Sequence, residues 1–337
     1  MCWPSVEISV AFLYLSFMKI LAYVPNFLPS YAAGDTVMLY EILAYLLNKG
    51  HECTVMLPRA IEPYNYKGIA VIPRSSSAFR HADLIMTQLD CTKETIQLGA
   101  GRPIIWVQHN TFPYGSIESN PHIGVIYNGE ASRKVMGWAN DGFVLPPPVN
   151  YINWQRTNGD CITLVNCNEN KGGKILAKIA KAMPHKRFIA VKGAYGEQHV
   201  PDLPNVHVLD HTNNMQAVYN CTRVLLMPSL YESWGRVATE AMSCGIPVIA
   251  TPTFGLVENI GESGIFVQRE NIQGWMDAIN KLDGKKEYKA ASVVATKRAI
   301  ELHPGKKLEG MEKWVTKFVQ KHKEKNGIQS GIRHHQH

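Results

Sequence analysis

The stretch MPSLYESWGRVATEAMSCGIPVIA, residues 227–250, sets Glu232 and Glu240 with seven residues between them, after one apolar run and before another. RVLLMPS (223–229) reads as a strand and LYES as the loop at its carboxyl end. WGRVATEAMSCG reads as a helix beginning near Gly235. The free N–H groups of a helix start can hold a phosphate, and a glycine there removes the side chain that would obstruct its approach. At 1.5 Å per residue, Glu240 lies about 7 Å inside such a helix, a span comparable to a diphosphate between two sugars. Ionised carboxylates are pure acceptors, suited to sugar and ribose hydroxyls. The plainer alternative is a solvated loop acid and a helix-surface charge.

The same alternation runs outward in both directions. KILAYVP (19–25), ECTVMLP, GIAVIP, DLIMTQ, PIIWVQ and IGVIYN are short apolar strands, and MLYEILAYLLNKG has helical spacing closed by Gly50. FVLPPPVNYINWQRTNGD (143–160) interrupts the pattern with three consecutive prolines and reads as a linker. CITLVN, GKILAKIAKAM, RFIAVKG, NVHVLD, RVLLMPS, PVIATP and GIFVQ then restart it. Near-continuous apolar strands alternating with helices predict an α/β fold of two doubly wound domains facing a central cleft, where ligands bind at the carboxyl ends of the strands. The expected division is an extension at 1–17, domains at 18–150 and 151–303, a helix at 304–326 and a tail at 327–337.

Composition limits the partners. The 337 residues are 45% hydrophobic and 19% charged, as in a globular chain with room for two domains. Seven cysteines without paired spacing argue for reduced thiols in a cytoplasmic protein. A net charge of +7 favours phosphates, anionic lipid or nucleic acid without choosing among them. VEISVAFLYLSF (6–17) is shorter than the roughly 20 residues of a membrane span. It also lacks the basic start and cleavage site of a secretory signal. PGKKLEGMEKWVTKFVQKHKEK (304–325) is a basic amphipathic helix; its apolar side is read as buried on the first domain, with a peripheral contact to anionic membrane as the competing reading. The sequence offers no metal-binding cluster, and RHHQH at the end reads as tail.

With these words in place, residues 205–282 resemble the nucleotide-sugar signature of glycosyltransferase family 4 (glycosyl transferases group 1), retaining enzymes of GT-B fold. The resemblance rests on the two spaced glutamates, the small-residue helix end, GIPV, GLVE at 255–258 and GIFV at 264–267. It extends less specifically over 18–320. It implies that Glu240 binds the donor ribose and that Glu232 sits by the transferred sugar and diphosphate. It also implies that the backbone of Gly255, Leu256, Val257 and Glu258 helps hold the donor. Carried over in the same way, Gly34 of PSYAAGDTV stands in the loop near the diphosphate, with one glycine where many relatives have two. His109 of IIWVQHNTF contacts the donor sugar, the alternative being a histidine that caps a strand. Lys171 and Gly172 of ITLVNCNENKGGKI form the basic phosphate turn.

One position departs from the pattern. Relatives usually carry an arginine five or six residues before that lysine, where this chain has Val165 and Asn166. Arg236 is the replacement considered first for the diphosphate, with Lys174 and Lys192 behind it; a surface role for Arg236 is the alternative. The implied reaction moves a sugar from a nucleotide diphosphate-sugar, usually UDP- or GDP-linked, to a saccharide or lipid-linked glycan. It proceeds with retention and without a bound metal or other cofactor. Glycosylation of a modified DNA base, sugar-nucleotide epimerisation and binding without turnover are the rival readings. A nicotinamide oxidoreductase is disfavoured because no G-x-G-x-x-G follows the first strand.

Overall fold

The computed structural model describes residues 17–325 except 100, 113–116, 119, 121 and 156. The extension up to residue 16 and the tail at 327–337 therefore lie outside the described residues. The first half supplies β1 (Lys19–Tyr23), β2 (Glu52–Leu57), β3 (Tyr64–Tyr66), β4 (Ile69–Pro73), β5 (Leu84–Thr87), β6 (Ile104–Val107), β7 (Ile123–Tyr127) and β8 (Gly142–Val144). They form one sheet in the order β3-β4-β2-β1-β5-β6-β7-β8, parallel except where β3 returns antiparallel on β4. The second half supplies β9 (Cys161–Val165), β10 (Phe188–Val191), β11 (Val206–Leu209), β12 (Thr222–Met227), β13 (Val248–Ala250) and β14 (Ile265–Phe266). These run parallel in the order β11-β10-β9-β12-β13-β14.

Strands β5, β6, β7 and β10 are buried along their whole length. This is why they read as continuous apolar runs rather than alternating ones: helices cover both faces of a parallel sheet. Chain order reverses between β1 and β5 in the first sheet and between β9 and β12 in the second. The segments that leave the carboxyl ends of β1, β9 and β12 carry Gly34, Lys171 and Glu232 respectively. The topology thus delivers these residues to the crevice where doubly wound sheets bind ligands.

Two short strands escape a reading by periodicity. β3 and β8 are three residues each, too few to show a period, and β8 occupies the opening of the segment read as linker before the prolines. Beyond the prolines a turn of 3-10 helix, Tyr151–Asn153, starts where the Asn150 side chain accepts from the Ile152 N–H at 3.1 Å.

The last helix, Gly305–Lys325, lies on the first sheet's side. Met311, Val315, Phe318 and Val319 share one core with Leu39, Ile42 and Leu46 of the helix Gly34–Asn48. Polar contacts fix its register: the Tyr45 hydroxyl donates to Glu312 at 3.1 Å, the Trp314 indole to Asp141 at 3.0 Å, and the Lys323 ammonium to Asp83 at 2.9 Å. Among the described residues no helix is long and apolar enough to cross a membrane.

Candidate functional site

The site is organised around two turns of the second domain. After β12, residues 228–235 lead into the helix Arg236–Ser243. Gly235 has φ +85°, and a Cβ on it would stand 2.6 Å from Leu256 Cδ2. No larger residue fits that helix start without displacing Leu256. The Asn259 amide donates to the Trp234 and Gly235 carbonyls, each at 3.0 Å, and the Gly255 N–H donates to the Glu232 carbonyl at 3.2 Å. Gly255 itself packs so tightly that a Cβ would lie 2.2 Å from the Ser233 carbonyl carbon.

The second turn follows β9. The Lys171 N–H donates to the Asn168 side chain at 2.9 Å, and Gly172 turns into the helix Gly173–Ala182 with φ +92°. A Cβ on Gly172 would meet Pro228 Cγ at 2.6 Å, so the two turns touch there. Asn170 joins them further, donating to the Tyr231 carbonyl and accepting from its N–H, both at 3.0 Å. The result is a direct ion pair between Lys171 and Glu232, both largely withdrawn from solvent. Burial opposes charge on Lys171, but the Glu232 carboxylate, joined by Tyr195 and Tyr231, outweighs it and raises the lysine above its ordinary value. The pair is a fixed cation and a fixed acceptor side by side.

Deeper in the same cleft, Glu240 is buried on the inner face of its helix. Arg236 Nε donates to its Oε1 at 2.7 Å and the Tyr219 hydroxyl donates to its Oε2 at 2.9 Å. Burial first, and the carboxylate next, push the Tyr219 hydroxyl well above the ordinary tyrosine value. Arg236 Nη1 also donates to the Pro148 carbonyl in the segment between the sheets.

The first domain closes the cleft from the other side. Gly34 faces His109, whose Cε1 lies 3.5 Å from where a Cβ on Gly34 would be. The His109 carbonyl accepts from the Ser233 hydroxyl at 2.7 Å and from the Asn128 amide at 3.1 Å, while Asn128 also donates to the Ser233 hydroxyl at 2.9 Å. The Tyr231 hydroxyl accepts from the Thr111 N–H at 2.8 Å, and its ring stacks on Phe112 at 5.5 Å. Glu41 enters from the helix Gly34–Asn48. Burial raises its carboxyl above the ordinary value, opposed by Arg236 and Lys67 and reinforced by Glu240.

Between these walls is a cavity of about 400 Å³, within the range of small-ligand sites. Gly34, His109, Lys171, Glu232, Gly235, Arg236 and Glu240 all line it. Gly172, Gly255, Leu256, Val257 and Glu258 do not. The first two glycines hold the turns together, Leu256 is in the core, Val257 is exposed, and Glu258 reaches across to the N–H groups of Glu130 and Ala131. Of the lysines weighed at the phosphate position, Lys192 lines the cavity while pairing with Asp210 at 2.9 Å, and Lys174 pairs outside it with Glu169 at 2.6 Å. Asn166 lines the cavity at φ +66°, its side-chain oxygen accepting from Gln198 at 3.2 Å. Sequence reading passed over Glu41, Asn128 and Ser233. Glu41 had a signal, a lone acid in the apolar run MLYEILAYLL; Asn128 and Ser233 are ordinary loop residues whose meeting depends on the tertiary fold. Among the described residues, no group of three or more His, Cys, Asp or Glu is placed to hold a metal ion.

Comparison with known proteins places this arrangement. Residues 164–283 match the family model described as glycosyl transferases group 1. The D-inositol 3-phosphate glycosyltransferase of Corynebacterium jeikeium is 43% identical over 67 residues, 19% of this chain and 16% of that protein. That of Paenarthrobacter aurescens is 46% identical over 61 residues, 18% of this chain and 15% of its own length. The chain thus aligns with only a small part of these relatives. Among solved structures, sucrose-phosphate synthase from Thermosynechococcus elongatus superposes with a TM-score of 0.74 at 15% identity, covering 90% of this chain and 100% of that one. HepE from Anabaena, in complex with UDP-glucose, superposes with a TM-score of 0.66 at 16% identity, covering 93% and 100%. The two facing sheets give this chain the GT-B fold of those structures, and the stretch that carries most of the second sheet, residues 164–283, is similar to glycosyl transferases group 1.

Proposed function

We propose that the chain transfers a sugar from a nucleoside diphosphate-sugar to an acceptor hydroxyl on a saccharide or lipid-linked glycan, with retention at the anomeric carbon. The observation that carries this reading is the Lys171–Glu232 ion pair in one cavity with the glycine-opened helix start and the buried Glu240. UDP-glucose and UDP in the HepE structures, and the glycosyltransferase names of the sequence relatives, support it.

In this reading the nucleotide lies against the second domain, with its ribose on Glu240 and its diphosphate at the start of the helix Arg236–Ser243. As the bond between the anomeric carbon and the diphosphate oxygen breaks, negative charge grows on the leaving group. Lys171 and the helix N–H groups stabilise that charge. Glu232 holds the transferred sugar, and His109 contacts it from the first domain. The acceptor oxygen bonds to the same face of the anomeric carbon, and its proton passes to the departing phosphate oxygen. Domain contact excludes water that would otherwise hydrolyse the donor.

Asn166 and Gln198 favour one second reading. Neutral side chains stand where relatives usually place a cation, and a chain so built could bind donor without turning it over. The test is incubation with UDP-, GDP-, ADP- and CDP-sugars and a panel of saccharide acceptors, following nucleoside diphosphate release and the product's anomeric proton by NMR. Transfer with retention, abolished in Glu232→Gln, is the expected result. Binding without release of diphosphate would select the second reading.

A further inference from the structure

Arg236 stands at the helix start where an anion would dock, yet two of its five N–H donors are already engaged, which fixes the plane of the guanidinium. Nε donates to Glu240 Oε1 at 2.7 Å and Nη1 to the Pro148 carbonyl. The two acceptors lie on different segments, and both side chains of the ion pair are largely shielded from solvent. A planar guanidinium held on two fixed acceptors cannot turn to a third partner without breaking both bonds. Glu240 is completed on its far oxygen by Tyr219, whose ring meets Trp154 edge-on at 5.4 Å. Pro148 and Trp154 both belong to the segment between β8 and β9, so the carboxylate is tied to that connection at both oxygens.

We infer that Arg236 is a positioning residue for recognition of the nucleotide's vicinal diol, acting through Glu240 and anchoring it to the interdomain connection, and is not a ligand of the diphosphate. This rests on the nucleotide-sugar reading above. An ionised carboxylate offers about four acceptor directions, two on each oxygen. In Glu240 each oxygen receives one protein donor, which leaves one direction on each for the 2′- and 3′-hydroxyls of a ribose. The guanidinium also offsets the cost of burying that carboxylate. A diphosphate ligand at this position would have to take the N–H groups that these two bonds leave over, in the directions the two bonds set.

The distinction is measurable with two probes of equal charge. The nucleoside diphosphate that binds the full chain most tightly, chosen from UDP, GDP, ADP and CDP, is compared with its 2′,3′-dideoxy counterpart by calorimetric titration. The parent should prefer the ribose form by about tenfold or more, the scale of hydrogen bonds to a charged group. Arg236→Gln should bring this ratio close to one while leaving affinity for the dideoxy form within about twofold. Arg236→Lys, whose ammonium still pairs with Glu240, should keep part of the preference. Arg236→Gln combined with Glu240→Gln should be no weaker than Glu240→Gln alone. An equal loss for both probes in Arg236→Gln would make Arg236 a phosphate ligand, and an unchanged ratio would remove it from ribose recognition; either overturns the inference while the nucleotide-sugar reading stands. If the parent binds none of the four diphosphates, that reading fails and takes this inference with it.

Discussion

Glu258 of the second domain caps a helix of the first: its carboxylate accepts from the Ala131 N–H at 2.7 Å and from the Glu130 N–H at 2.8 Å, at the start of the helix Glu130–Met136. Together with the Ser233 bond to His109 and the Tyr231 bonds to Thr111, this holds the walls of the cleft against each other. Glu258→Ala leaves two helix-end donors without their anionic partner, a loss of about 1 kcal/mol or more. The variant should melt earlier and show a larger radius of gyration by small-angle X-ray scattering. A scattering profile identical to the parent's would mean that the cap does not hold the domains.

Lys171 carries the cation nearest to Glu232. Lys171→Met should lower kcat by about a hundredfold, the scale of losing one preorganised charge at a leaving group. Because Glu232 holds the lysine above its ordinary value of 10.5, the ion pair's contribution to stability is fully present below pH 10.5 and is lost as pH rises through the folded value. A pH-rate profile whose alkaline limb below pH 9 disappears in Lys171→Met would contradict this.

Glu41 behaves in the opposite sense. Burial raises its carboxyl above 4.5, so the folded chain binds its proton more tightly than the unfolded one does, and stability falls as pH climbs from that value through the folded one. Glu41→Gln should therefore melt higher than the parent at pH 7, with the difference closing near pH 4. Equal melting curves at pH 7 would show that Arg236 and Lys67 fully offset the burial of Glu41.

Gly235→Ala places a methyl group at φ +85° and 2.6 Å from Leu256 Cδ2. A loss of at least about 1 kcal/mol of stability is expected from backbone conformation and crowding together. Nucleotide affinity should fall with it, because the helix start moves. Urea denaturation and titration on the same preparation test both halves.

The fold was legible because parallel strands covered on both faces leave continuous apolar runs, and β1, β2 and β9 lie where such runs stand. β3 and β8 were not, since pairing rather than period defines a three-residue edge strand. At the site, Glu232 and Glu240 could be singled out from their spacing, and Gly34, His109 and Lys171 from the family resemblance; all five line one cavity. The partners they have found could not. Arg236 and Glu240 stand four apart on one helix, a spacing at which side chains meet, but that Arg236 also reaches Pro148, and Glu258 the first domain, depends on how the two halves pack, which local spacing does not encode. Asn128 and Ser233 carry no motif, and their importance lies wholly in where tertiary packing sets them.

The most direct measurement is calorimetric titration of UDP, GDP, ADP and CDP into the full chain and into Glu240→Gln. The account predicts saturable binding of at least one diphosphate, weakened about tenfold when the carboxylate becomes an amide with a single acceptor oxygen. Absence of binding by all four, or equal affinity in Glu240→Gln, would contradict the assignment of this cleft to a nucleotide-sugar.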